Sequence, residues 1–98
     1  MRVLYNRGFS YEILLETGRG VIYEGDFVTV DVNNGKVRPC KKRDFILGMA
    51  IEPSYHRNSL IHIISQGFVE LPNSITPGAK FGLAGIAVDS NTICINCL

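Results

Sequence analysis

A chain of 98 residues, 46% hydrophobic and 19% charged, has the balance of one packed globular domain and is too short for a second hydrophobic core. The charged fraction is low for a free monomer, which points to apolar surface covered by neighbours. A formal net charge of +1 excludes the whole-domain field of a dedicated nucleic-acid binder, and no apolar run approaches the ~20 residues that cross a bilayer.

Residues 1–10 carry Arg2 and Arg7 beside Tyr5 and Phe9 and precede any regular pattern. They read as an N-terminal arm, either a frayed tail or a segment that orders on a neighbouring subunit, followed by a single β domain over residues 11–98. The opening residues lack the apolar stretch of a secretory signal, so synthesis in a cytoplasm is expected. Tyr11-Glu12-Ile13-Leu14-Leu15-Glu16-Thr17 is too short to hold as a lone helix and is flanked by Gly18 and Gly20, so a strand is the better reading.

Phe27-Val28-Thr29-Val30-Asp31-Val32 alternates, placing Val28, Val30 and Val32 on one face of a strand and Thr29 and Asp31 on the other. Asn33-Asn34-Gly35 suits a tight hairpin, with Lys36-Val37-Arg38 returning antiparallel and Pro39 ending the pairing or marking an edge. Residues 45–51 are apolar on both faces and predict a central strand covered on each side. Residues 59–65 are similarly two-faced, and Gln66-Gly67 predicts a bulge or kink before Phe68-Val69-Glu70-Leu71. Thr76-Pro77-Gly78 predicts a turn; residues 80–83, 86–88 and 92–95 predict short strands, the last two joined around Asp89-Ser90-Asn91. The whole predicts an all-β fold, a small antiparallel β-barrel or sandwich with short strands and hairpins.

The order Gly25-Asp26, Asn34-Gly35, Ile46 through Ala50, Gly67-Phe68-Val69-Glu70-Leu71, Pro77-Gly78 and Phe81-Gly82-Leu83 resembles the small β modules of tailed-phage virions. These are the capsid decoration proteins and the base domains of head fibres and tail fibres. The resemblance spans about residues 20–83; the ending with Cys94 and Cys97 lies outside it, and the long Ala- and Gly-rich tract of many decoration proteins is absent. It implies a homotrimeric or otherwise symmetric module, located in the virion after synthesis in a host cytoplasm. Its partner would be a capsid or other virion protein, with no enzymatic task, no cofactor and no membrane.

The chemical candidates have plain structural alternatives. Cys94-Ile95-Asn96-Cys97 has the spacing of zinc and redox motifs, but Cys40, His56 and His62 are scattered and provide no second ligand pair, so no metal site is expected and the thiols are read as reduced. His62 shares a predicted face with Leu60 and Ile64, as a histidine near the core or a pH-sensitive interface residue, and His56 lies in a polar loop. No serine or cysteine carries a local hydrolase signature, and the carboxylates are dispersed. Arg38, Lys41, Lys42 and Arg43 form a charge cluster that is either a solvated loop or a contact with an acidic neighbour or phosphates.

Two functions follow as expectations. The first is a non-enzymatic virion module whose partner-binding residues are Arg2, Tyr5, Arg7 and Phe9 of the arm together with Arg38, Lys41, Lys42 and Arg43. The alternative is a free small β-barrel that binds a ligand or nucleic acid; the net charge argues against nucleic acid as the partner.

Overall fold

The computed structural model describes residues 1–4, 10–18, 20–56, 58–82 and 84–96. Every regular element among them is a strand, and every ladder is antiparallel, as the sequence predicts. The strands are β1 (Arg2–Val3), β2 (Tyr11–Glu16), β3 (Phe27–Val30), β4 (Val37–Pro39), β5 (Gly48–Ala50), β6 (Leu60–Glu70), β7 (Lys80–Phe81), β8 (Gly85–Ala87) and β9 (Thr92–Ile95). They run β4-β3-β5-β6-β9-β8-β7 across one curled sheet, with β1 and β2 also paired to β6.

The two-faced run at 59–71 explains itself in β6. Its 11 residues are shared by two halves of the sheet: Leu60 through Gln66 pair with β2 and β5, and Gly67 through Glu70 pair with β1 and β9. Ile61 and Ile63 enter one core with Ile22, Val28, Val37 and Ala50; Ile64 and Val69 enter a second with Met49, Ala87, Ile93 and Ile95. Neighbouring residues of β5 and β3 divide likewise, Ala50 and Val28 facing the first core while Met49 and Phe27 face the second. Where the chain length predicts a single core, the central strands carry a small core on each face.

The predicted irregularity at Gln66-Gly67 is the point where β6 passes between the halves. Gly67 has φ 141°, and a Cβ there would lie 2.8 Å from Ser10 Oγ and 3.1 Å from Ile64 Cδ1, so the dihedral and the close approach of Ser10, just before β2, both favour glycine. The pairing of β2 with β6 shifts register beside it, between Tyr11 and Glu12.

At the other end of β2 the first half curls until Thr17 bridges Val37 of β4. Thr17 is buried; its hydroxyl donates to the His56 carbonyl (2.9 Å) and accepts from the Ser59 N–H (3.1 Å), while Gly18 N–H donates to the Val37 carbonyl (3.1 Å). Lys36 reaches across the seam to Glu16 (3.3 Å) and to the Asn58 side-chain oxygen. These contacts hold β4 against β2 in a partial barrel.

Three expectations are corrected. Residues 1–10 do not all lie outside the strands: Arg2 and Val3 pair with Glu70 and Val69, and Leu4 N–H donates to the Phe68 carbonyl (2.9 Å). Pairing satisfies this backbone and lets Met1 and Val3 pack on the second core; Tyr5, Arg7 and Phe9 lie outside the described residues. The alternation of 27–32 stops at Val30, because the Asp31 carboxylate accepts the Asn33 N–H (2.8 Å) and the Asp31 carbonyl accepts the Gly35 N–H (2.8 Å). That closes a four-residue loop with Gly35 at φ 71° and leaves Val32 96% exposed instead of facing the core. The central strand predicted at 45–51 is only three residues long, and Phe45 is 77% exposed.

Cys94 also departs from the reduced state expected of it: it is buried in β9 and disulfide-bonded, while Cys40 is a free thiol. Cys97 lies outside the described residues.

Gly48→Ala tests the packing between β5 and β6, since a Cβ at 48 would fall 2.2 Å from the Ile64 carbonyl oxygen. A loss of about 3 kcal/mol is expected in chemical unfolding. Gly35→Ala, which meets no atom within 4 Å and suffers only from φ 71°, should lose about 1 kcal/mol. Deleting residues 1–4 should lower stability by about 2–4 kcal/mol, because Met1 and Val3 leave the second core with it; thermal unfolding of the shortened chain is the check.

Candidate functional site

Three segments distant in sequence enclose a cleft of about 610 Å³. Phe27 of β3 and Ile46 line its apolar part with Pro39 and Cys40, residues 41–44 supply the charged rim, and Asp26 and Gly82 complete the lining. The hairpin register brings the pieces together. Val28 pairs with Pro39, and the Cys40 N–H donates to the Phe27 carbonyl (2.9 Å), so the chain leaving β4 is pinned beside the aromatic ring. The Leu47 N–H donates to the Val28 carbonyl (2.9 Å) and returns the loop to β3. From the other half of the sheet, Gly82 approaches the same ring. With φ 61° and a virtual Cβ only 3.0 Å from Phe27 Cε2, position 82 accepts glycine best.

The rim is organised by one carboxylate. Asp44 Oδ2 accepts from Arg38 Nη1 (2.7 Å) and from the Lys41 N–H (2.7 Å), and Oδ1 accepts from Arg38 Nη2 (3.3 Å). The Asp44 N–H donates back to the Lys41 carbonyl (3.1 Å), which closes a four-residue turn. Arg43 occupies the third position of that turn at φ 74°, a left-handed conformation that costs a non-glycine residue about 1 kcal/mol and is retained because Asp44 holds both ends. The Arg38 guanidinium and then the Lys41 N–H hold the Asp44 carboxyl down at about 2.

The expected partner-binding residues therefore separate. Arg38 is committed to Asp44, and Arg2 Nη2 to the Glu70 carboxylate (3.0 and 3.1 Å). Lys41, Lys42 and Arg43 are exposed, and among the described residues their side chains make no ion pair. Tyr5, Arg7 and Phe9 lie outside the described residues, so the structure does not join the arm to the basic loop. Asp26 answers the cations only in part, since its Oδ2 already accepts the Tyr23 N–H (2.8 Å).

The sequence reading picked out the cations and missed the floor. A signal for the turn existed in Asp44, three residues after Lys41, an arrangement that favours reciprocal side-chain and backbone bonds. Nothing in sequence joins Gly82 or Ile46 to Phe27. Cys40 lines the floor as a thiol; burial raises its pKa, so at neutral pH it is protonated and a poor nucleophile. His62 is exposed rather than near the core, with Nδ1 3.1 Å from Glu52 Oε1, and the His56 carbonyl accepts the Thr17 and Ser54 hydroxyls. Among the described residues no group of three or more His, Cys, Asp or Glu converges to hold a metal ion, and no helix is long and apolar enough to cross a membrane.

No family model matches the sequence, and neither a curated protein nor a solved structure matches the chain. The residues and their geometry are what a functional reading has to stand on.

Asp44 provides a direct check of the rim. A carboxyl whose folded pKa is depressed contributes stability that is present above its ordinary value of 3.8 and is lost as pH falls through about 2. Carboxyl NMR should therefore place the Asp44 midpoint near 2 in the intact chain, and Arg38→Gln, which removes the main cause, should move it up towards 3.8.

Proposed function

We propose that the chain is a non-catalytic assembly module of a tailed-phage virion, bound to a capsid or other virion protein as a decoration or fibre-base domain. The observation that carries this reading is the ordered succession of turns and strands over residues 20–83. Its glycines serve the backbone at the positions the succession marks: Gly25 at φ 91° in the turn before β3, Gly35 at 71° in the hairpin, Gly67 at 141° in the bulge and Gly78 at 85° after Pro77. The chain's apolar exposure supports the same reading. Val32, Phe45, Leu60, Tyr23 and Tyr55 all stand largely in water, surface that a neighbouring subunit or support would cover.

The alternative, a free β-barrel binding module, is favoured by one observation, the cleft beside Phe27, whose volume falls within the range of about 300–1,000 Å³ typical of ligand pockets. The two readings part on mass and on particle binding. An assembly module should scatter light as a trimer of the 10.8 kDa chain at micromolar concentration and should co-sediment with particles that lack it. A monomer that stays monomeric and soluble when such particles are added sinks the assembly reading.

A further inference from the structure

The cleft pairs two properties that seldom meet on a solvated loop. Its lining holds three cations, Lys41, Lys42 and Arg43, and two carboxylates, Asp26 and Asp44, of which Asp44 is occupied by Arg38. The same lining includes an apolar part made by Phe27, Ile46, Pro39 and Cys40. Lysine and arginine heads in water need no such floor. An occupant that satisfies both must present negative charge at its edge and an apolar group at its centre.

We infer that this cleft is a socket for an acidic segment of a partner protein, one that inserts a single leucine or phenylalanine side chain against Phe27 and Ile46 while its carboxylates meet Lys41, Lys42 and Arg43. The occupant is a polypeptide rather than a nucleic acid on two grounds. Among the described residues that line the cleft the cations are three consecutive residues, fewer than the run of phosphate contacts a nucleic-acid backbone calls for. The Phe27 ring is also approached by Gly82 and Gly85 from the other half of the sheet, which restricts the flat stacking platform a base requires. The loop is built to keep the cations presented. Asp44 fixes the turn from inside, and the left-handed Arg43 sits at its corner.

This inference deepens the assembly role proposed above by naming the chemistry of the partner, and it rests on that reading only for where the segment comes from. The test uses the intact chain and a fluorescein-labelled peptide, Asp-Glu-Leu-Phe-Asp-Glu, followed by fluorescence anisotropy at low salt. Binding in the micromolar range is expected, weakened about tenfold or more by the double variant Lys42→Gln with Arg43→Gly. Glycine relaxes the φ of 74° at position 43, so that variant should fold at least as well as the parent, which thermal unfolding verifies. A peptide with Gly-Gly in place of Leu-Phe should bind about tenfold more weakly to the intact chain. Cys40 reports the location: as the free thiol in the floor, it should react with N-ethylmaleimide more slowly when the peptide is bound, and once alkylated should block the peptide. Failure of the peptide to bind, equal binding to the double variant, an unchanged rate of Cys40 alkylation, or displacement of the peptide by equimolar oligothymidine would each overturn the socket. None of these bears on whether the intact chain co-sediments with particles, so the assembly reading and the socket fail separately.

Discussion

The fold depends on burying one strand from both sides. A strand that turns Ile61 and Ile63 to one face and Ile64 and Val69 to the other needs cover on both, and there is no helix among the described residues to supply it. The solution is to curl the same sheet around both faces of β6. Its first half closes on Ile61 and Ile63, and its second packs over Ile64 and Val69. Both devices that permit this are local: the bulge at Gly67, where β6 changes partners, and the seam at Thr17, where β2 meets β4. Both halves share β6, so a substitution in β6 touches residues of both cores.

The cleft follows from this arrangement. Phe27 faces the second core from β3, a strand of the first half, so its ring sits where the two halves meet and is approached by Gly82 and Gly85 from the other side. A crevice at that junction is a consequence of the curl; what makes it a candidate site is the loop that borders it. Exposed lysines and arginines ordinarily sample many positions, and an ion pair between exposed groups adds little stability. The Arg38–Asp44 pair matters instead for shape, since it joins β4 to a turn whose backbone Asp44 also caps, and Lys41, Lys42 and Arg43 of that turn stay exposed.

Much of this architecture was legible in the residues. The apolar run at 59–71 marked a strand buried in part on both faces, although Leu60, His62 and Gln66 remain exposed, Gly67 marked the bulge, and Pro77-Gly78 and Asn34-Gly35 marked turns because few other residues accept those dihedrals. Period-two alternation failed at Val32, where hydrogen bonds to Asp31 end the strand although hydrophobicity continues. It failed again at 45 and 46, where Phe45 stands in water and Ile46 lines the cleft, and the chain rejoins β3 only at Leu47, whose N–H donates to the Val28 carbonyl. Arg38 looked equivalent to Lys41, Lys42 and Arg43 in sequence, and only the partner six residues on sets it apart. The floor was not legible at all: Phe27, Ile46 and Gly82 are joined by strand register and by the meeting of two half-sheets, neither of which a local window contains.

Two titratable groups of the cleft are pushed in opposite directions. Asp44 is ionised at any pH near neutrality and spends its lone pairs on Arg38 and Lys41, so it is no reservoir for protons. Cys40 lies at the opposite limit, a thiol that burial keeps protonated. Asp26 accepts a backbone N–H, and no histidine is among the described residues that line the space. Constant charge beside an apolar floor lets a cleft bind with the same strength across the neutral range while salt alone tunes the contribution of its rim.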